Sequence, residues 1–217
     1  RKDRLEALAG ELGNARALVI DLARPGAVAR LMADLAKAGE EVDLLVNNAG
    51  FGLVGRFATL DAARQREMID LNIGALTDLC RAVAPGMIER RGGAILNLAS
   101  TAAFLAGPGM AVYFATKAYV LSFTEALHEE LKPHGIRVSV LCPGPTRTEF
   151  GAVAGYGGHP VADRMGMDAA PVVALGLKAL ERNQAVMVTG AANKIIAWAT
   201  RFIPRSWLRK IVGTLKY

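Results

Sequence analysis

The stretch Ala94-Ile95-Leu96-Asn97-Leu98-Ala99-Ser100 is a short apolar run closed by a hydroxyl residue, and a long helical pattern opens soon after it at Ala111. A run of this length and composition reads as a strand buried on both faces, and about Ala111–Lys132 as the helix that returns from it. The same alternation extends towards both ends of the chain. On the N-terminal side, Arg1–Leu12 is an amphipathic helix with Leu5, Leu8 and Leu12 on one face. Ala17–Ile20 follows as a short strand closed by Asp21. Pro25 opens a helix to about Lys37, which Gly39 ends. Val42–Val46 is a strand running into Asn47-Asn48-Ala49-Gly50, and a helix from about Asp61 is expected to kink or break at Pro85-Gly86. On the C-terminal side, Arg137–Leu141 is a strand, Pro171–Glu181 a helix and Ala185–Val188 a last strand. The remainder is helical, broken at Pro204. Short strands alternating with helices predict an α/β fold, a doubly wound parallel sheet covered on both faces.

In such a fold ligands bind beyond the carboxyl ends of the strands. That directs attention to Asp21, to Asn48–Gly50, to Ser100 and to Pro143–Thr148. The segment from Pro143 to roughly Gly166 holds six glycines and little periodicity, and it reads as a mobile flap over a site.

Composition narrows the choices. With 217 residues, 52% of them hydrophobic, the chain suits one domain, 1–217, with an amphipathic tail over 191–217. No apolar run approaches the ~20 residues of a membrane span. The two cysteines, Cys80 and Cys142, are too few for a disulfide framework and point to a reducing cytoplasm. The net charge of +6 comes without basic runs interleaved with aromatics, which argues against nucleic acid. His128, His134 and His159 lack metal-ligand spacing, so no metal is expected.

Tyr113 and Lys117 stand four apart on one helix and therefore share a face. A phenol of pKa ~10 is a poor acid–base group at neutral pH, and a nearby ammonium would lower it. Ser100 ends the strand that precedes this helix, so its hydroxyl and that of Tyr113 can meet on one substrate oxygen. Asn72, inside the apolar helix at Leu71-Asn72-Ile73-Gly74, is a buried amide that needs partners. Gly50-Phe51-Gly52-Leu53-Val54-Gly55 fits the G-x-G-x-x-G spacing of a dinucleotide turn, but no helix opens directly after it, and the fingerprint is rejected.

Taken together, Asn47-Asn48-Ala49-Gly50, Leu71-Asn72, Ser100, Tyr113, Lys117 and Pro143-Gly144 resemble the short-chain dehydrogenase/reductase family from about Asp21 to Thr148. Tyr113-Phe114-Ala115-Thr116-Lys117-Ala118-Tyr119-Val120-Leu121 resembles its bacterial DltE-like branch. The resemblance implies a Rossmann-like sheet and a nicotinamide cofactor, NADP or NAD. Tyr113 would be the general acid or base, Lys117 would lower its pKa and hold the ribose, and Ser100 would orient the substrate oxygen. Asn72 would keep a water in a proton relay. Cofactor contacts would come from Asp21 and Leu22 at the adenine, from Asn48, Ala49 and Gly50 at the ribose, and from Pro143, Gly144 and Thr146 beside the carboxamide. Arg1 falls where members of the family hold the 2′-phosphate of NADP.

The family's Thr-Gly-x-x-x-Gly-x-Gly turn is not in this sequence, and on that alignment the first β-α-β unit, about 40 residues, would precede Arg1. The sheet is then expected to leave Ala17–Ile20 apart from Val42–Val46, with the latter as an open edge. The expected activity is interconversion of a small, apolar carbonyl compound and its alcohol, by a homo-oligomer when complete. The competing readings are a non-catalytic NADP-binding sensor and an inactive fragment of the enzyme. The tail joins Ile195, Ile196, Trp198, Phe202, Ile203, Trp207, Leu208 and Ile211 to six cations. It packs on the domain, on a second subunit, or on an anionic membrane as an interfacial helix.

Overall fold

A computed structural model describes residues 1–155 and 166–214. In chain order the elements are α1 (Lys2–Leu12), α2 (Ala27–Lys37), β1 (Leu44–Asn47), α3 (Ala62–Ile69), a π-helical turn (Asp70–Ala75), α4 (Leu76–Glu89), β2 (Gly93–Leu98), α5 (Ala111–Leu131) and β3 (Ile136–Cys142). They continue with β4 (Thr146–Arg147), α6 (Phe150–Ala154), β5 (Met167–Asp168), α7 (Ala169–Glu181), β6 (Val186–Val188), α8 (Ala191–Ala199) and α9 (Arg205–Thr214).

The main sheet has four parallel strands in the order β1-β2-β3-β6. Its register sets Leu45 beside Ile95 and Ile95 beside Val138, so the branched side chains stack in rows. Successive strand residues point to opposite faces, and both faces are covered. Ile95, Val138 and Val140 meet Cys80, Val83 and Met87 of α4 and Val120 of α5. Ala94, Leu96 and Leu141 pack on Val172 and Leu180 of α7 from the other side. This is the doubly wound α/β arrangement that the alternation predicts.

One polar seam crosses the apolar layer. Asn47 Nδ2 donates to Asn97 Oδ1 at 2.8 Å, and Asn97 Nδ2 donates to Thr124 Oγ1 at 2.9 Å. Asn97 and Thr124 are fully buried, so each amide and hydroxyl must find its partner inside. Cys80 lies against the same seam, and burial raises its thiol to about 11. Cys142 is raised by burial to about 12.

Several expectations change. Ala17–Ile20 joins no ladder among the described residues, because no neighbouring strand lies there to pair its backbone. As expected, that segment lies apart from β1, which is an open edge of the sheet, and Val19, Leu44 and Val46 are about half exposed. The helix does not break at Pro85, and α4 runs through it to Glu89. The irregularity comes earlier, as the widened turn Asp70–Ala75 around Asn72 and Gly74. The flap is not structureless at its described ends, which form β4, α6 and β5; residues 156–165, with Tyr156 and His159, lie outside the described residues. No described helix is long and apolar enough to cross a membrane.

Candidate active site

The carboxyl ends of β1, β2, β3 and β6 open on one edge, where most of the singled-out residues gather. Ser100 stands just past β2 and caps the turn Thr101–Phe104, its Oγ accepting from Ala102 N at 3.1 Å. The same hydroxyl donates to Pro143 O at 3.4 Å, and Thr101 N donates to that carbonyl at 2.8 Å, so the loops after β2 and β3 are tied together.

Tyr113 lies in the first turn of α5, 8% exposed, with Phe51, Met110 and Phe114 packed around it. The Phe150 ring of α6 leans on it at 5.2 Å between centroids. One turn further along, Lys117 is also 8% exposed. Its Nζ donates to Leu98 O at 2.8 Å and sits 5.8 Å from the centre of the Tyr113 ring.

Burial decides the titration of both groups. Desolvation pushes the Tyr113 phenol up to about 12, while the Ser100 hydroxyl acts as a hydrogen-bond partner in the opposite direction. Desolvation also lowers Lys117 to about 8, partly offset by the Cys142 thiol. The expected lowering of Tyr113 by Lys117 is absent, because the ammonium turns to the Leu98 carbonyl and the phenol sits in an aromatic nest.

Asn72 is 2% exposed. Its Oδ1 accepts from Phe51 N at 3.1 Å, and its Nδ2 donates to Phe51 O at 2.9 Å and to Thr116 Oγ1 at 3.1 Å. It clamps the backbone just after Asn48-Ala49-Gly50, a loop whose three residues are exposed. Gly50 is required by packing, since a Cβ there would lie 2.9 Å from Asn72 Oδ1 and 3.8 Å from Lys117 Nζ. The segment Gly50–Gly55 is followed by further loop, and α3 begins only at Ala62, which agrees with rejecting the dinucleotide fingerprint.

Other expected contacts are dispersed. Asp21 is exposed and spends its carboxylate on Ala23 N and Arg24 Nε, both at 3.1 Å. Leu22 lines a cleft of about 690 Å³ between α2 and α4 whose lining includes none of Ser100, Tyr113 or Lys117. Arg1 is exposed and pairs with Glu149 at 2.7 Å, an acid that Arg4 also engages. In this arrangement its guanidinium meets the chain's own carboxylate, in an exposed and therefore weak ion pair. Thr146 Oγ1 donates to Gly144 O at 3.0 Å, which stiffens the loop after β3.

Sequence reasoning missed the residues that brace this edge. Thr116 donates to Tyr113 O at 2.8 Å while accepting from Asn72. Asn193 Nδ2 donates to Thr189 O at 2.8 Å, and a Cβ on Gly144 would fall 2.2 Å from that same nitrogen. Among the described residues, Thr189 Oγ1 is buried without a partner just past β6. The signal available was an amide or hydroxyl standing alone in an apolar context, as Asn97 does in β2.

These groups fit the nicotinamide end of a dinucleotide. Lys117 brings three N–H bonds, one of them used on Leu98 O, and it faces the exposed Gly50 backbone beside Ser100 and Tyr113.

The sheet and its ligand-facing edge define a doubly wound α/β protein. Within that class the chain belongs to the short chain dehydrogenase family, whose model matches residues 1–158. It is 38% identical over 179 residues to sulfoacetaldehyde reductase 2 of Chromohalobacter salexigens, spanning 80% of this chain and 71% of that one. It is 40% identical over 156 residues to the NADP-dependent 3-hydroxy acid dehydrogenase YdfG of Salmonella typhi, spanning 70% of this chain and 63% of the relative. Among solved structures, a short-chain dehydrogenase from Sphingobium yanoikuyae in complex with NADPH superposes with a TM-score of 0.79 at 31% identity. That match covers 100% of this chain and 84% of the other.

Proposed function

We propose that this chain, acting as one domain, reduces a small and largely apolar ketone or aldehyde with NADP(H), or oxidises the matching alcohol, with Tyr113 as the acid–base group. The observation that carries the proposal is the convergence of Ser100, Tyr113 and Lys117 on one edge of the sheet. The NADP preference rests on the NADPH complex and the NADP-dependent relative, not on Arg1. The run Tyr113–Leu121 supports placement in the DltE-like branch.

A bound nicotinamide supplies hydride, and the chain supplies positioning and the proton. With its pKa at about 12, the phenol of Tyr113 is protonated at neutral pH, so the resting side chain is the acid that carbonyl reduction needs. Ser100 hydrogen-bonds the same oxygen and stabilises the charge that develops on it. Lys117, charged below about pH 8, donates one N–H to Leu98 O and has the others for ribose hydroxyls. Asn72 holds the Gly50 turn, and the second lone pair of its Oδ1 can order the water of a proton relay. Phe51, Met110, Phe114 and Phe150 around Tyr113 favour an apolar substrate. Asn48, Ala49, Gly50, Pro143, Gly144 and Thr146 are placed along the cofactor's path.

The test is Tyr113→Phe in the full chain, with NADPH oxidation followed against a panel of apolar ketones and aldehydes. Turnover should fall by at least ~10²-fold while cofactor binding stays close to wild type. Wild-type turnover by the variant would refute the assignment. Tight NADPH binding by the parent chain with no turnover on any carbonyl would favour a sensor on the same fold.

A further inference from the structure

The net positive charge of this protein arises at its C-terminal end. Residues 1–181 carry nineteen Lys and Arg against twenty Asp and Glu, whereas residues 182–217 carry seven cations and no acid. Both tryptophans of the chain, Trp198 and Trp207, lie in that last segment. The helices there are packed with their large side chains outward. α8 and α9 bury the small Ala197 and Val212. They and the turn between them leave Ile195, Ile196, Trp198, Phe202, Trp207 and Ile211 between 50% and 68% exposed. Lys194, Arg205, Arg209 and Lys210 are exposed on the same two helices, and Arg201 is exposed in the turn between them.

A solvated helix face is polar, and a face that packs on its own domain buries its aromatics. This one does neither. A second copy of the same face would bring cations against cations, with no acid to pair them. An anionic lipid surface instead accepts the Trp, Phe and Ile side chains at the acyl boundary and the Lys and Arg side chains at the headgroups. No described helix can span, so the contact is peripheral. We infer that α8 and α9 form an interfacial anchor that seats this protein on anionic membrane. The inference is independent of the chemistry at Tyr113.

Because both tryptophans lie on the anchor, their emission reports it directly. At low salt the full chain should sediment with vesicles of phosphatidylcholine and phosphatidylglycerol, and its tryptophan emission should shift to the blue. Both effects should be absent with phosphatidylcholine alone and should fade as salt is raised. Replacing Arg205, Arg209 and Lys210 with Gln removes three exposed charges without touching the core. It should weaken partitioning about a hundredfold, at roughly fivefold per cation. Absence of binding at low salt overturns the inference. So does sedimentation with unshifted tryptophans, or equal binding to both vesicle types. A blue shift that grows with protein concentration in the absence of lipid would mean that the face meets a second copy, and it would overturn the inference too.

Discussion

Asn72→Ala isolates what the buried amide does. The side chain makes three hydrogen bonds, two of them to both backbone groups of Phe51, which is 7% exposed. Truncation strands a buried N–H and a buried C=O, each costing about 1–3 kcal/mol. Thr116 loses little, because its hydroxyl still donates to Tyr113 O. A water entering the vacated volume recovers part of the loss, so a net cost of about 3 kcal/mol is expected. With a urea m-value of about 2 kcal/mol/M, the unfolding midpoint should fall by roughly 1.5 M. A double-mutant cycle with Thr116→Val should return a coupling of about 1 kcal/mol for the Nδ2–Oγ1 bond. A midpoint shift under about 0.5 M would show that Asn72 is not the clamp of the Gly50 turn, and additive single mutants would show that its bond to Thr116 contributes nothing.

Two further outcomes follow from the same edge. Lys117 loses its proton near pH 8 in the folded chain but near its ordinary 10.5 when unfolded. Between those values the unfolded state binds more protons, so stability should rise with pH across that window, by up to about 3 kcal/mol relative to Lys117→Met; a flat difference between the two proteins from pH 8 to 10.5 refutes this. Gly144→Ala should force Asn193 off Thr189 O and cost about 1–2 kcal/mol in thermal unfolding. In an Asn193→Ala background the same change should cost almost nothing, and an equal cost in both backgrounds would refute the close approach.

The parts of this molecule legible in sequence are those fixed by period and order. The apolar runs at Ala94–Leu98 and Arg137–Leu141 stand within a residue of β2 and β3, since a strand buried on both faces announces itself by composition. Pairing is a different matter. Ala17–Ile20 has the composition of a strand, but a ladder needs a neighbour, and composition does not say whether one is there. Pro85 misled for a related reason. A proline breaks a helix only where the missing N–H cannot be spared, and the widened turn Asp70–Ala75 was invisible because no residue type demands it. For Tyr113, i,i+4 spacing shows the ammonium and hides the aromatic nest whose burial raises the phenol.

Why the spacing of the site works can nevertheless be derived from backbone dimensions. α5 returns along β2, so Tyr113 near its start meets the far end of the strand and Lys117 meets a point further back. Four residues of helix advance about 6 Å, and two residues of strand about 6.6 Å. The two lengths nearly match, so Tyr113 and Lys117 align with Ser100 and Leu98 as two rungs of one ladder. The first rung is the hydroxyl pair, and the second is the Nζ bond to Leu98 O at 2.8 Å. A lysine one position earlier or later would turn about 100° away from the strand and lose its rung. Moving the cation to position 116 or 118, with Lys117 replaced by Ala, should therefore abolish turnover as completely as removing it. Retained activity in either variant would show that charge near Tyr113 suffices and that the pairing with the strand end is incidental.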